Sequence, residues 1–106
     1  MGGVSVGGGQ KELLKAYVGQ TLNCTIYNEI AYSYVQARIG SNGLFEIRAW
    51  ETLNGRDTGW VAGLSAGTYS YSPGGDTYRH IYGSVDLMGL SAYAPETDRS
   101  CYVRWS

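Results

Sequence analysis

Phe45, Ile47 and Ala49 alternate with Glu46, Arg48 and Trp50, and this strict alternation constrains the fold more than any other feature of the chain. A period of two is what a β-strand needs when one face is buried and the other is wet. A turn follows at Leu53-Asn54-Gly55-Arg56-Asp57, whose Asn-Gly step tolerates the positive φ angles of a tight hairpin, and Trp60-Val61-Ala62 resumes an apolar run. Residues 45–62 therefore read as a β-hairpin with Phe45 and Ile47 inside and Trp50 outside.

The same pattern recurs on both sides. Thr21–Tyr27 and Tyr32–Ile39 read as strands; in the second, Val35, Ala37 and Ile39 share one parity and Tyr32, Tyr34, Gln36 and Arg38 the other. Gly40-Ser41-Asn42-Gly43 is a turn into the hairpin. Leu64-Ser65-Ala66-Gly67 breaks the next run, Thr68–Tyr71 resumes it, and Ser72-Pro73-Gly74-Gly75-Asp76 is a further turn. Tyr78–Tyr82 leads on to Ser84–Leu87, Gly89 to Asp98 reads as loop, and Cys101–Trp105 is the last strand. About seven short strands separated by Gly-rich turns predict an all-β fold, a small antiparallel β-sandwich or Greek-key barrel. The tetrapeptide Gly-Leu-Ser-Ala occurs at 63–66 and again at 89–92, but its flanks differ, so it is no internal repeat.

Only one segment has helical spacing. In residues 10–18, Leu13, Leu14, Tyr17 and Val18 fall on one face, with Lys11, Glu12 and Lys15 on the other, and Gly19 suits a C-cap. A helix of about two turns must dock on the sheet to persist. Residues 1–9 hold five glycines around Val4 and Val6, too little side chain to offset the entropy of ordering, and form an arm before a single β domain at 10–106.

Cys24 and Cys101 both stand in strand-like contexts, as expected of a bridge between the first and last strands. Paired, they would close nearly the whole domain, which is worth about 4–5 kcal/mol in the chain-entropy account. A disulfide in turn implies an oxidising compartment and a secreted, extracellular protein. The order Cys, Trp, Cys also occurs in immunoglobulin domains, but the 77 positions separating these cysteines and the place of Trp50 do not fit that spacing.

Charge excludes one partner class. Lys+Arg total 8 against Asp+Glu 9, with no basic run, so the electrostatic footprint of nucleic-acid binding is missing. No apolar run approaches the ~20 residues of a membrane-spanning helix. With a single histidine and two cysteines expected to pair, no metal set and no cofactor motif is expected.

Enzyme motifs are thin. Gly63-Leu64-Ser65-Ala66-Gly67 fits G-x-S-x-G, and Asp76 and His80 follow in the chain order of the α/β-hydrolases. That motif works on a strand-to-helix turn above a parallel sheet, which this chain lacks, so a hydrolase using Ser65 and His80 ranks third. Glu46 with Glu51 differ in strand parity, and Glu29 lies near a turn, so no pair of carboxylates is set for glycoside hydrolysis. Asn23-Cys24-Thr25 is formally an N-glycosylation acceptor.

The aromatic residues carry more. There are 10 Tyr and 3 Trp but only 16% charged residues. Tyrosine and tryptophan beside arginine stack on sugar rings and anchor protein interfaces. The expected ligand-binding residues are Arg48, Trp50, Trp60, Tyr69, Tyr71, Tyr78, Arg79 and His80, and the first expectation is a non-enzymatic binding domain for a protein or carbohydrate. The second is a structural subunit of a filament or viral assembly, contacting copies of itself through the Gly-rich arm.

Overall fold

The structure, a computed structural model, describes residues 17–27, 32–53, 55–72 and 80–106. They form eight strands: β1 (Thr21–Tyr27), β2 (Tyr32–Ile39), β3 (Phe45–Glu51), β4 (Val61–Leu64), β5 (Gly67–Tyr71), β6 (Ile81–Val85), β7 (Gly89–Ala94) and β8 (Arg99–Arg104). Two four-stranded antiparallel sheets result, ordered β1-β2-β3-β4 and β5-β6-β7-β8. Of the two architectures expected, the sandwich holds, and its connectivity is two successive meanders without a Greek-key crossing. The arm at 1–9 and most of the expected helix, residues 10–16, lie outside the described residues. No helix among those described is long and apolar enough to cross a membrane.

Alternation builds the core as the sequence predicts. Leu22, Cys24 and Ile26 of β1, Val35, Ala37 and Ile39 of β2, and Phe45, Ile47 and Ala49 of β3 all face inward. Ile81 and Val85 of β6 and Leu90, Ala92 and Ala94 of β7 meet them from the second sheet. Cys24 and Cys101 are disulfide-bonded with their Cα atoms 5.7 Å apart, so the crosslink joins β1, an edge of one sheet, to β8, an edge of the other. Trp105 closes the core just beyond β8. It stacks with Phe45 and with Tyr17, ring centroids 6.4 and 5.8 Å away. Its indole N–H donates to the Asp86 carbonyl at 2.8 Å.

Three expectations need correction. Gly89 to Ala94 is a strand and not loop: β7 is an inner strand of the second sheet, hydrogen-bonded to β6 and β8. Four of its six residues are Gly, Ser or Ala, yet Leu90, Ala92 and Ala94 keep the period of two, and two flanking strands supply the pairing that the small residues' weak β-propensity does not. Second, the run expected over 78–87 is shorter among the described residues: β6 spans Ile81–Val85 and passes through Gly83, where a Cβ would lie 3.4 Å from Val35 Cγ1. Third, the return arm of the 45–62 hairpin is offset. The chain after the turn first pairs with β3 through a Trp50–Asp57 bridge, β4 begins only at Val61, where Val61 and Ala62 are exposed, and its register on β3 then shifts between Ile47↔Val61 and Phe45↔Leu64. The strand count is accordingly eight.

The register of the second sheet fixes what its outer face shows. Thr68 lies opposite Ser84, Ser84 opposite Ser91, and Ser91 opposite Tyr102. The neighbouring row runs Ser70, Tyr82, Tyr93, Ser100.

Candidate binding surface

The outer face of the first sheet carries the densest side-chain network among the described residues. Outward positions alternate with the core positions of β1, β2 and β3, so Asn23, Gln36 and Arg48 fall in one cross-strand row, and Thr25, Tyr34 and Trp50 in the next. Hydrogen bonds run the length of the first row. Gln36 Nε2 donates to Asn23 Oδ1, and Arg48 Nη1 reaches Gln36 Oε1 at 3.5 Å. Arg48 Nε then lies 3.0 Å from each carboxylate oxygen of Asp57, and Nη2 adds a further bond to Oδ2.

This fork fixes the β3–β4 connection. Asp57 also accepts from the Gly59 amide at 2.8 Å, while Thr58 N donates to Ala49 O at 2.9 Å and Ala49 N to Thr58 Oγ1 at 3.0 Å. From the buried end of β3, Glu51 accepts the amides of Leu53 and Arg56. The hydrogen bond from Arg48, helped by the Gly59 amide, holds the Asp57 carboxyl below its ordinary range; the same bond raises the Arg48 guanidinium above its own.

Tyr34, Trp50 and Trp60 on this face are half-buried by their neighbours. Tyr34 and Trp50 sit directly opposite across β2 and β3 and stack, with centroids 5.0 Å apart and planes 12° from parallel. That separation matches the ~4.8 Å between strands, so the two rings stand side by side with their edges toward solvent. The Arg48 guanidinium lies 4.5 Å from the Trp50 centroid, and Arg38 lies 3.8 Å over Trp60 while donating to Glu46 at 2.6 Å. At the end of the same face Tyr27 and Tyr32 meet edge to face.

The other expected site residues lie elsewhere. Tyr69 and Tyr71 belong to β5 in the second sheet and pack against the core, so they do not share a surface with Trp50. Their strand is short and borders the core at its edge, which turns the odd-numbered rings inward. Tyr69 O–H donates to the Ser65 carbonyl at 2.6 Å, and the Tyr71 hydroxyl is buried with no hydrogen-bond partner among the described residues. Burial, then the neighbouring Tyr69, raises the Tyr71 phenol above its usual value. Tyr78 and Arg79 lie outside the described residues.

His80 pairs with a residue the sequence reading passed over. Its Nδ1 lies 2.8 Å from Glu96 Oε2, and its backbone N–H donates to Oε1 at 3.0 Å. Burial opposes ionisation of Glu96, but the side-chain and backbone bonds from His80 outweigh it and hold the carboxyl below its ordinary range. The pair sits at the β7–β8 turn, which Thr97 ties to β1 by donating to the Tyr27 carbonyl at 3.3 Å. Ser65 is exposed where the chain crosses between sheets, Asp76 lies outside the described residues, and no described hydroxyl bonds the imidazole. Among the described residues no group of three or more His, Cys, Asp or Glu side chains is placed to hold a metal ion.

The sequence reading also missed Tyr27, Tyr32 and Tyr34 as companions of Trp50. Tyr32 and Tyr34 had the outward parity, but only the register puts Tyr34 against Trp50. No family model matches the chain, and neither does any curated protein or solved structure.

Proposed function

We propose that the chain is an extracellular, non-enzymatic binding domain whose outer face on the first sheet docks a protein partner. The observation that carries this reading is the Tyr34–Trp50 stack braced by Arg48. A sugar ring needs an aromatic face to lie on, whereas these two rings spend facing surface on each other and on a guanidinium and offer edges. Pre-ordered Trp, Tyr and Arg side chains, rimmed by charge pairs, are the composition of an interface hot spot. They lose little entropy on docking because the Asp57 and Glu46 carboxylates already hold the arginines. The Cys24–Cys101 disulfide supports an oxidising location.

The test is affinity capture from the extracellular fluid of the source, run in parallel with a glycan array, using wild type, Trp50→Ala and Arg48→Ala. A protein captured by wild type and lost with both variants supports the reading. A glycan that binds wild type and is lost with Trp50→Ala, or capture that ignores both substitutions, overturns it.

A further inference from the structure

We propose that the outer face of the second sheet is a docking platform for a neutral polysaccharide, independent of the protein-binding face opposite. Both cross-strand rows of this face, Thr68-Ser84-Ser91-Tyr102 and Ser70-Tyr82-Tyr93-Ser100, place a hydroxyl and no charge at each position across all four strands, and the next outward residue of β8 is Arg104. The outward face of the first sheet, by contrast, carries Arg38, Glu46 and Arg48 in similar space. A solvent face normally draws its polarity from lysine and glutamate; this one draws it from serine, threonine and tyrosine, groups that both donate and accept.

Its tyrosines differ from Tyr34 in the respect that matters. Tyr82, Tyr93 and Tyr102 are 38%, 40% and 55% exposed, and none stacks on another described ring. Tyr82 and Tyr93 stand opposite each other on the two inner strands, and Tyr102 lies in the adjoining row, about 7 Å along the strand direction from that of Ser100. Thr68 Oγ1 and Ser84 Oγ are already 2.7 Å apart, which aligns one hydroxyl pair, while Tyr93 O–H donates to Asp98 at 2.9 Å, which steadies its ring.

The ligand chemistry follows from this set. A pyranose presents C–H groups on its ring face and hydroxyls on its edge; the first lie on tyrosine rings and the second exchange hydrogen bonds with the serine and threonine hydroxyls. An acidic polysaccharide or a nucleic acid would need cations, and the first one met on this face, Arg104, stands outside the two rows on the edge strand. Repetition of the same hydroxyl row across four strands suits a polymer with a repeating unit better than a single sugar.

Co-sedimentation of the full chain with microcrystalline cellulose, chitin, insoluble β-1,3-glucan and granular starch, at low and high salt, tests the proposal. The expected result is retention on at least one of the four, unchanged by salt, reduced about tenfold or more by Tyr82→Ser with Tyr93→Ser, and unaffected by Trp50→Ala. Thermal unfolding checks that the double variant is folded; should it not be, Tyr102→Ser, on an exposed edge strand, carries the comparison with a smaller expected loss. Retention on none of the four overturns the proposal, as does retention that the tyrosine variants leave intact. Concentration-dependent dimerisation that Tyr102→Ser abolishes also overturns it, because the occupant is then a second copy. Loss on Trp50→Ala alone, with the tyrosine variants still retained, would place sugar binding on the first sheet and overturn both this proposal and the protein-docking reading.

Discussion

Arg48 holds Asp57 through a fork in which Nε is 3.0 Å from both carboxylate oxygens, and so binds the β3–β4 connection to the outward face of β3. Both side chains are about one-third exposed, at 34% and 33%, so the pair acts by positioning more than by stability. Removing it should loosen residues 55–60 while leaving the core intact.

Acid should have the same effect. Because the folded-state pKa of Asp57 is depressed, its contribution is present above the ordinary aspartate range and is lost as pH falls through the folded value. In a carboxyl-detected NMR titration Asp57 should titrate below an ordinary aspartate, and Arg48→Ala should return it upward. An unchanged Asp57 value in that variant would contradict the geometry.

Gly89 should not tolerate a side chain. A Cβ there would stand 2.1 Å from the Val103 carbonyl oxygen and 2.8 Å from Arg104 Cα, both backbone atoms of the paired strand β8. Gly89→Ala should cost about 3 kcal/mol or more in denaturant unfolding, since the strands must part. Gly43 is the control: its φ of +82° is strained for alanine but nothing lies within 4 Å, so Gly43→Ala should cost only about 1–2 kcal/mol.

The disulfide spans 77 positions and ties the two sheets at one edge. Cys24→Ala with Cys101→Ala should lower stability by about 4 kcal/mol in the chain-entropy account, read as a lower midpoint in urea. Full alkylation of both cysteines without reductant would refute the bond itself.

Tyr71→Phe should stabilise the chain. The hydroxyl it removes is buried and lacks a partner among the described residues, so its desolvation is uncompensated; the gain should be about 1 kcal/mol by chemical denaturation. Since its folded pKa is raised, the wild-type residue also costs stability once pH rises above the ordinary tyrosine value, a slope that Tyr71→Phe should reduce. A loss of stability at neutral pH would mean that the hydroxyl has a partner after all.

Strands with strong period-two contrast were readable at once. Thr21–Tyr27 and Tyr32–Ile39 end where the sequence places them, because large apolar residues on one parity leave a single register that buries them. Trp50 was legible as outward for the same reason. Its companions were not: Tyr34 meets Trp50 through register, and Glu96 meets His80 through a turn sixteen residues on, neither of which leaves a local mark. Tyr69 and Tyr71 resembled Trp50 in composition, and only their place at the sheet edge turned them toward the core.

The tetrapeptide Gly-Leu-Ser-Ala separates the two kinds of information. At 63–66 it ends β4 and carries the chain from one sheet to the other, with Gly63 at a φ of +75° and Ser65 exposed. At 89–92 the same four residues begin an inner strand in which Leu90 and Ala92 are buried. By itself the sequence determined an all-β chain, the inward parity of its strong strands and the partners of its disulfide, since each follows from alternation or from two cysteines in strand contexts. The tertiary structure alone decided which weak segments became strands and which rings paired. Those outcomes depend on neighbours that supply backbone hydrogen bonds and burial, and those neighbours lie far away in the chain.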